Sequence, residues 1–117
     1  MIEELVSKVF CARNASHLAH WATKSYAEHQ ALGAFYDGVI DAIDSIVEAS
    51  QGRFGLIDVT ELENDVGADV IKLLNEQMQW IEENRSDIAQ GVTAIENLID
   101  SLSDLYLTTI YKLENLS

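Results

Sequence analysis

Apolar residues recur at steps of three and four along most of the chain, the spacing that forms one face of an α-helix. Strand-like alternation is rare, and the chain contains no proline. Four amphipathic segments follow from this pattern, at about residues 2–22, 25–50, 60–84 and 88–113. Because the connections between them are short, the pattern predicts an all-α, up-down four-helix bundle that forms a single domain over residues 1–117.

Capping signals predict where two of these helices begin. Ser25 is followed by Glu28, and Thr60 is followed by Glu63. In such a capping box the hydroxyl accepts a backbone N–H three residues later, and the glutamate side chain reaches back. We therefore expect the second helix to begin at Ser25 and the third near Thr60.

Turn signals predict the helix ends. Gly52 and Gly55 should stop the second helix near Ser50. The polar run at residues 84–87 predicts a tight connection between the third and fourth helices.

The apolar face of each segment predicts the core of the bundle. The predicted core residues are Ile2, Leu5, Val6, Val9, Phe10, Leu18, Trp21, Leu32, Phe35, Val39, Ile43, Ile46, Val47, Val66, Val70, Leu73, Leu74, Trp80, Ile81, Ile88, Val92, Ile95, Leu98, Ile99, Leu102, Leu105, Tyr106, Ile110 and Leu113.

Composition narrows the classes of function. A net charge of -13, from 20 acidic and 7 basic side chains, repels phosphate and disfavours direct binding to DNA. The chain has neither a long apolar run nor a secretory leader, so we expect no membrane association and a cytoplasmic protein, in the host cytoplasm if the source is a virus. The lone Cys11 excludes an intrachain disulfide and is expected in the core.

Candidate chemistry is concentrated in the first half of the chain. His17, His20 and His29 are the three histidines, and Asp37, Asp41, Asp44 and Glu48 form an acidic stripe on the second helix. Steps of four, three and four residues keep these acids within about 60° on one face. Imidazole nitrogens and carboxylate oxygens suit divalent iron or zinc. The alternative is that the stripe is a solvated surface, that His20 ends a helix and that His29 is a surface residue.

Helix geometry limits how these groups can meet. The chain has no Glu-x-x-His element, which excludes the usual ferritin site within one subunit. Asp44 lies 15 residues beyond His29, or about 22 Å further along the same helix. A two-fold dimer with the first two helices packed antiparallel would bring the histidine end of one subunit to the Asp44 and Glu48 end of the other.

The motif His20-Trp21, His29 and Asp44-x-x-x-Glu48 resembles the signature of the Dps-like miniferritins, which are ferritin-like four-helix proteins with a ferroxidase centre across a two-fold interface. The resemblance implies that His20 and His29 hold one iron, and that Asp44 and Glu48 from the other subunit bridge to or hold a second. Where this family usually has an aspartate four residues after the second histidine, the chain has Gly33, so Asp37 one turn later is a substitute candidate.

The resemblance implies an iron-binding protein that oxidises Fe(II) with dioxygen or peroxide, and stores it, in a homodimer or larger homo-oligomer. Iron is the expected metal, with another divalent ion or none as alternatives. The compact chain also resembles small bacteriophage-encoded relatives. Two other functions stay open: a viral or regulatory bundle that has lost the chemistry and binds a protein partner, and a purely structural oligomer.

Overall fold

The computed structural model describes residues 1–67 and 69–117, and it contains four helices within them. They are α1 (Ile2–Ala22), α2 (Tyr26–Phe54), α3 (Val70–Ala89) and α4 (Thr93–Asn115). Helix α2 packs on α1 and α4, and α3 packs on α4 and α1, so the helices close a ring around one core. The predicted all-α four-helix bundle is confirmed.

The turn between α1 and α2 confirms the first predicted cap. Ser25 Oγ accepts the backbone N–H of Glu28 at 3.2 Å. The Glu28 carboxylate accepts the hydroxyl of Thr23 at 2.7 Å, and Thr23 Oγ1 accepts the backbone N–H of Ser25 at 3.1 Å. Glu28 therefore completes the capping box through Thr23, which holds the two helices at a short, ordered turn.

The second helix continues past Ser50, so the predicted end was wrong. Helix α2 includes Gly52 and runs to Phe54. Gly55 then takes a φ of 102° and donates its backbone N–H to the carbonyl of Gln51. A positive φ is accessible to glycine without steric cost, so Gly55 is the residue that ends the helix.

The third helix begins later than predicted, and the 60–84 assignment was wrong. Residues 55–67, which we call the crossover segment, form no helix or strand. The helix begins at Val70, where the Asp69 carboxylate accepts the backbone N–H groups of Ile71 and Lys72. An aspartate at this position also complements the positive end of the helix dipole.

The predicted cap at Thr60 fails because Glu63 is used in tertiary contacts. The backbone N–H of Glu63 donates to Ser7 Oγ on α1 at 2.7 Å. Its carboxylate pairs with Lys8 at 3.3 Å. Both groups that would have formed the capping box therefore attach the crossover segment to α1.

The crossover segment connects opposite ends of the bundle. Ile2, Phe54 and Ile88 line one pocket at the end where α2 stops. Ala22 and Val70 line another at the end where α1 stops and α3 begins. The chain between α2 and α3 must therefore travel the length of the bundle, so α2 and α3 run in the same direction, and the predicted up-down order with short connections was wrong at this link.

The boundary between α3 and α4 also differs from the prediction. Residues 84–87 lie inside α3, which ends at Ala89. The chain turns at Gln90 and Gly91, which have φ values of 51° and 76°. Two consecutive left-handed residues break the helix more effectively than the polar run does.

Most of the predicted core is buried, but one face of α1 is not. Phe10, Leu18 and Trp21 are 36%, 45% and 68% exposed, so their assignment to the core was wrong. Phe10 lines a pocket with residues of α2 and of the crossover segment, and Leu18 and Trp21 line another with Val66 of that segment. Cys11 is fully buried, as predicted. Several other predicted core residues are half-buried: Val47, Val66, Val70, Trp80, Val92, Leu98 and Leu105.

Within residues 1–67 and 69–117, none of the helices combines the length and apolar content that crossing a membrane requires.

Candidate metal centre

His20 and His29 meet at the turn between α1 and α2. His20 lies in the last turn of α1 and His29 in the first turns of α2. Their ring centroids are 3.6 Å apart, and the ring planes are tilted by only 18°. The capped, short turn brings two imidazoles that are nine residues apart into a stacked pair.

Each histidine of the pair donates a hydrogen bond to the backbone of the other. His20 Nδ1 donates to the carbonyl of His29 at 2.6 Å, and His29 Nδ1 donates to the carbonyl of His20 at 2.9 Å. Because a carbonyl oxygen can only accept, both Nδ1 atoms carry the proton. In the neutral rings each Nε2 therefore keeps its lone pair, as metal-binding histidines do when their second nitrogen donates to a carbonyl.

These hydrogen bonds also have a structural role. The last carbonyls of a helix lack partners within the helix. The carbonyl of His20 is one of these in α1, and the His29 imidazole satisfies it. The pair thus ties the end of α1 to the start of α2, whether or not a metal is bound.

Gly33 provides the space that the His20 ring occupies. A Cβ atom at position 33 would lie 3.1 Å from Cε1 of His20 and 3.3 Å from its Nδ1. Contacts this short would displace the ring. The residue that departs from the miniferritin pattern is therefore the one on which His20 packs, and a side chain at this position would require the His20 ring to shift by a few tenths of an ångström.

His17 lies in an aromatic environment beside the pair. Its ring stacks on Tyr36 with a centroid distance of 4.0 Å and an interplanar angle of 11°, and it contacts Trp21 at 4.4 Å. Sequence reasoning missed Tyr36, which also meets His20 edge to face at 5.3 Å. The available signal was its spacing, since Tyr36 lies seven residues, or two helical turns, after His29.

The acidic stripe does not reach the histidines within one subunit. Asp37, Asp41, Asp44 and Glu48 are all exposed on α2. Even Asp37, the nearest of them, lies about 12 Å along the helix from His29. In the part of the chain that the structure describes, no three histidine, cysteine, aspartate or glutamate side chains gather as a metal site.

The geometry of the pair limits how metal could bind. A zinc–imidazole bond is about 2.0–2.1 Å long, and the lone pair of Nε2 lies in the plane of its ring. The two ring centroids are 3.6 Å apart, and a tilt of 18° between the ring planes is too small to bring both Nε2 lone pairs to one point over the length of such a bond. As stacked, His20 and His29 fit two separate ions better than the single shared iron that the resemblance implies.

Comparisons with known proteins place the chain in a family. A bacteriophage T4 protein described as "Uncharacterized 14.6 kDa protein in mobD-ri intergenic region" is 26% identical over 117 residues, which cover 95% of this chain and 86% of that protein. No solved structure matches the chain. These comparisons support a small phage-type protein and leave the miniferritin resemblance a prediction. Residues 20–113, most of the chain, match a family model, and the protein belongs to this "Family of unknown function (DUF5856)".

Proposed function

We propose that the protein is a homodimer that binds divalent metal, with iron as the expected ion, between His20 and His29 of one subunit and Asp44 and Glu48 of the other. The observation that carries the proposal is the reciprocal pair of Nδ1 hydrogen bonds, because it leaves both Nε2 atoms available as ligands.

A two-fold dimer supplies the missing oxygen ligands. We call the exposed side of α1 and α2 that carries Phe10, Trp21, Asp44 and Glu48 the α1–α2 face. The imidazole pair lies at one end of this face, and Asp44 and Glu48 lie toward the opposite end of α2. Antiparallel packing of this face on itself juxtaposes unlike ends twice and gives two equivalent sites. The long crossover between α2 and α3 supports the same assignment, because ferritin-like bundles also contain one such connection.

The residues would divide the chemistry between them. Each imidazole Nε2 would bind one Fe(II), and the exposed carboxylates would neutralise charge and bridge the two ions. Iron is the substrate of the proposed reaction, with dioxygen or peroxide as the electron acceptor. The remaining acids of the stripe, Asp37 and Asp41, would raise the local concentration of cations at the dimer surface.

The test is an Fe(II) titration that measures bound metal by mass spectrometry and oxidation by ultraviolet absorbance. We expect stoichiometric binding in the wild-type protein and its loss in both His29→Asn and Glu48→Ala. Asparagine retains a donor in place of Nδ1 and removes Nε2, so the first change separates metal binding from the structural hydrogen bond. Glu82→Ala, which removes an exposed carboxylate from α3, is the matched control and should bind normally.

A second candidate function is a protein-binding module without metal. It is favoured by the exposed aromatic and aliphatic side chains of α1 and by the fact that the Nδ1 groups of the histidine pair are satisfied within the chain. Wild-type protein that binds no Fe(II), Zn(II) or Mn(II) in the titration would support this candidate and reject the first.

A further inference from the structure

We infer that the α1–α2 face is a self-complementary dimer interface in which Trp21 of each subunit inserts into an apolar groove of the other. This inference shares the antiparallel dimer with the proposed function, but it does not require metal. It identifies the contact that would hold the two subunits together.

The groove lies where the crossover segment passes beside α1 and α2. It has a volume of about 340 Å³, and its walls are apolar except for one carboxylate. Its lining includes Val6, Phe10, Asp44, Val47, Ile57 and Leu62. This volume is at the small end of the range for binding pockets, about 300–1,000 Å³, and suits one aromatic side chain better than a whole helix.

Trp21 is the side chain that this groove fits. It is 68% exposed, although tryptophan normally buries most of its large apolar surface. Phe10, Asn14, His17 and Trp21 follow one another at steps of four, three and four residues, which places them along one stripe of α1. The protruding indole and the groove are therefore on the same face of the molecule.

A two-fold rotation matches the two features. Trp21 and Phe10 are 11 residues apart on α1, a separation of about 16 Å. A two-fold axis that passes beside α1, perpendicular to it and level with the midpoint of these two residues, places each Trp21 level with Phe10 of the other subunit and seats each indole in the opposite groove. Trp21 is adjacent to His20, and Asp44 lines the groove, so the same register brings the histidine pair of one subunit beside the stripe of the other.

Charge complementarity favours a second copy as the occupant. Lys24 lies with His20 and His29 toward the end of the face that carries Trp21. The groove end carries Asp44 and Glu48 on α2, and the crossover segment adds acidic residues next to it. Antiparallel packing brings the basic end against the acidic end, whereas parallel packing would oppose like charges in a protein of net charge -13.

The polar residue of the groove completes the contact. A buried indole N–H normally needs an acceptor. Asp44 is the charged residue in the lining of the groove and can accept this hydrogen bond. A carboxylate has two oxygens, so one can accept the indole N–H while the other remains free for a cation.

Sedimentation equilibrium without metal and with chelator tests the inference. We expect the wild-type protein to dimerise and Trp21→Ala to raise the dimer dissociation constant by more than about tenfold, the loss expected when a central tryptophan is removed. Tyr111→Ala, which removes an exposed aromatic side chain from α4, should leave the dissociation constant unchanged. A monomeric wild-type protein, or a Trp21→Ala protein that dimerises normally, would overturn the inference.

A mixing experiment separates a lost contact from a misfolded chain. Phe10→Glu blocks the groove but retains Trp21, whereas Trp21→Ala retains the groove. Each variant alone should be impaired, but a mixture should form heterodimers, because the tryptophan of one variant can enter the groove of the other. Failure of the mixture to associate more strongly than either variant alone would contradict the inference.

Metal binding by the same proteins distinguishes this inference from the proposed function. Asp44→Asn retains an acceptor for the indole and weakens the metal site, so it should dimerise and bind less Fe(II). Dimerisation through Trp21 without any metal binding would reject the proposed function and leave the interface standing. Metal binding by a dimer that forms without Trp21 would support the proposed function and reject the Trp21 interface.

Discussion

Gly33 shows how a single hydrogen atom in place of a side chain can determine a local arrangement. Its missing Cβ lets the His20 ring lie against α2 and stack on His29. From the sequence, Gly33 was a missing ligand, because the resemblance implies an aspartate there. In the structure Gly33 is a packing position, because α1 places the His20 ring against it. The sequence alone does not show this contact between the two helices.

The packing role of Gly33 predicts an unusual response to alanine. Gly→Ala inside a helix ordinarily raises stability by up to about 1 kcal/mol. We expect Gly33→Ala instead to lower the free energy of unfolding measured in urea, because its Cβ would lie 3.1 Å from a ring held by two contacts. Gly52→Ala has open space and should be neutral or stabilising.

A double-mutant cycle identifies the cause. In a His20→Ala background the steric conflict disappears, so Gly33→Ala should then stabilise the protein. If Gly33→Ala stabilises the wild-type protein as much as Gly52→Ala does, the close approach of His20 does not exist.

Tyr106 links three helices through a buried polar chain. Its hydroxyl donates to Gln77 Oε1 at 2.7 Å, and Gln77 Nε2 donates to the carbonyl of Lys8 at 2.9 Å. Tyr106 is fully buried, and Gln77 is 3% exposed. Sequence periodicity identified Tyr106 as a core residue but gave no signal for Gln77, whose polar side chain lies inside because it has partners there.

Removing the hydroxyl should leave Gln77 with an unsatisfied acceptor. We expect Tyr106→Phe to lose about 1–3 kcal/mol of unfolding free energy in urea titrations at neutral pH. Adding Gln77→Leu should recover part of this loss, because both polar partners are then absent. A Tyr106→Phe protein as stable as the wild type would contradict the hydrogen bond.

The same tyrosine predicts how stability depends on high pH. Burial raises the pKa of Tyr106 above its ordinary value of 10.0. The unfolded chain releases this proton first, so the contribution is present below pH 10 and is lost as the pH rises further. The stability difference between the wild type and Tyr106→Phe should therefore shrink or change sign above pH 10.

At the scale of the helical elements, one arginine joins the last two helices. Arg85 on α3 donates to both carboxylate oxygens of Asp100 on α4, at 2.6 and 2.8 Å, and to Glu96 at 3.1 Å. The two-pronged contact fixes the register of the helices near their connection. Sequence analysis assigned Arg85 to a turn, and the tertiary structure shows it inside α3 as the residue that orients α4.

This ion pair predicts an acid-sensitive contribution to stability. The hydrogen bonds from Arg85 lower the pKa of Asp100 below its ordinary value of 3.8. The stabilisation is therefore present above about pH 4 and is lost as the pH falls through the lowered pKa. Asp100→Asn should reduce the loss of thermal stability between pH 4 and pH 2, whereas Asp104→Asn, an exposed change on the same helix, should not.

The error at the start of the third helix has a tertiary cause. The signals that held were local: Ser25 caps α2, and the apolar period of each helix gives its buried face. The signal at Thr60 failed because Glu63 found partners on α1, 55 or more residues away in the chain. The groups of a potential capping box can also form hydrogen bonds with residues that are distant in the chain. When they do, the helix does not begin at the box.

At the scale of the whole molecule, the negative net charge limits where two copies of the chain can associate, and the exposed side of α1 is the candidate place. A protein of net charge -13 resists non-specific association. A dimer can then form only where apolar contact and local charge pairing outweigh that repulsion. The α1–α2 face offers apolar contact of this kind, with the exposed Trp21 at one end and an apolar groove at the other.

The candidate metal centre is also a question for the whole molecule, because its residues cannot meet within one subunit. Helix rise alone shows that His29 and Asp44 cannot share an ion in one subunit, and the structure gathers no third ligand within residues 1–67 and 69–117. The separation of His29 from Asp44 along α2 therefore agrees with the expectation from helix rise, and whether these residues bind metal stays a prediction. The sequence could not predict the stacking of the histidines, because the ring orientation depends on the turn, on Gly33 and on two backbone carbonyls.

The sequence by itself determined the helical class, the number of helices and most of the buried faces, because periodicity and caps act between residues that are close in the chain. Only the tertiary structure decided the path of the crossover segment, the exposure of Trp21 and the state of the histidine pair. Each of these depends on groups that are distant in sequence and that compete for the same hydrogen bonds or the same surface. A local sequence pattern cannot predict which of these contacts forms.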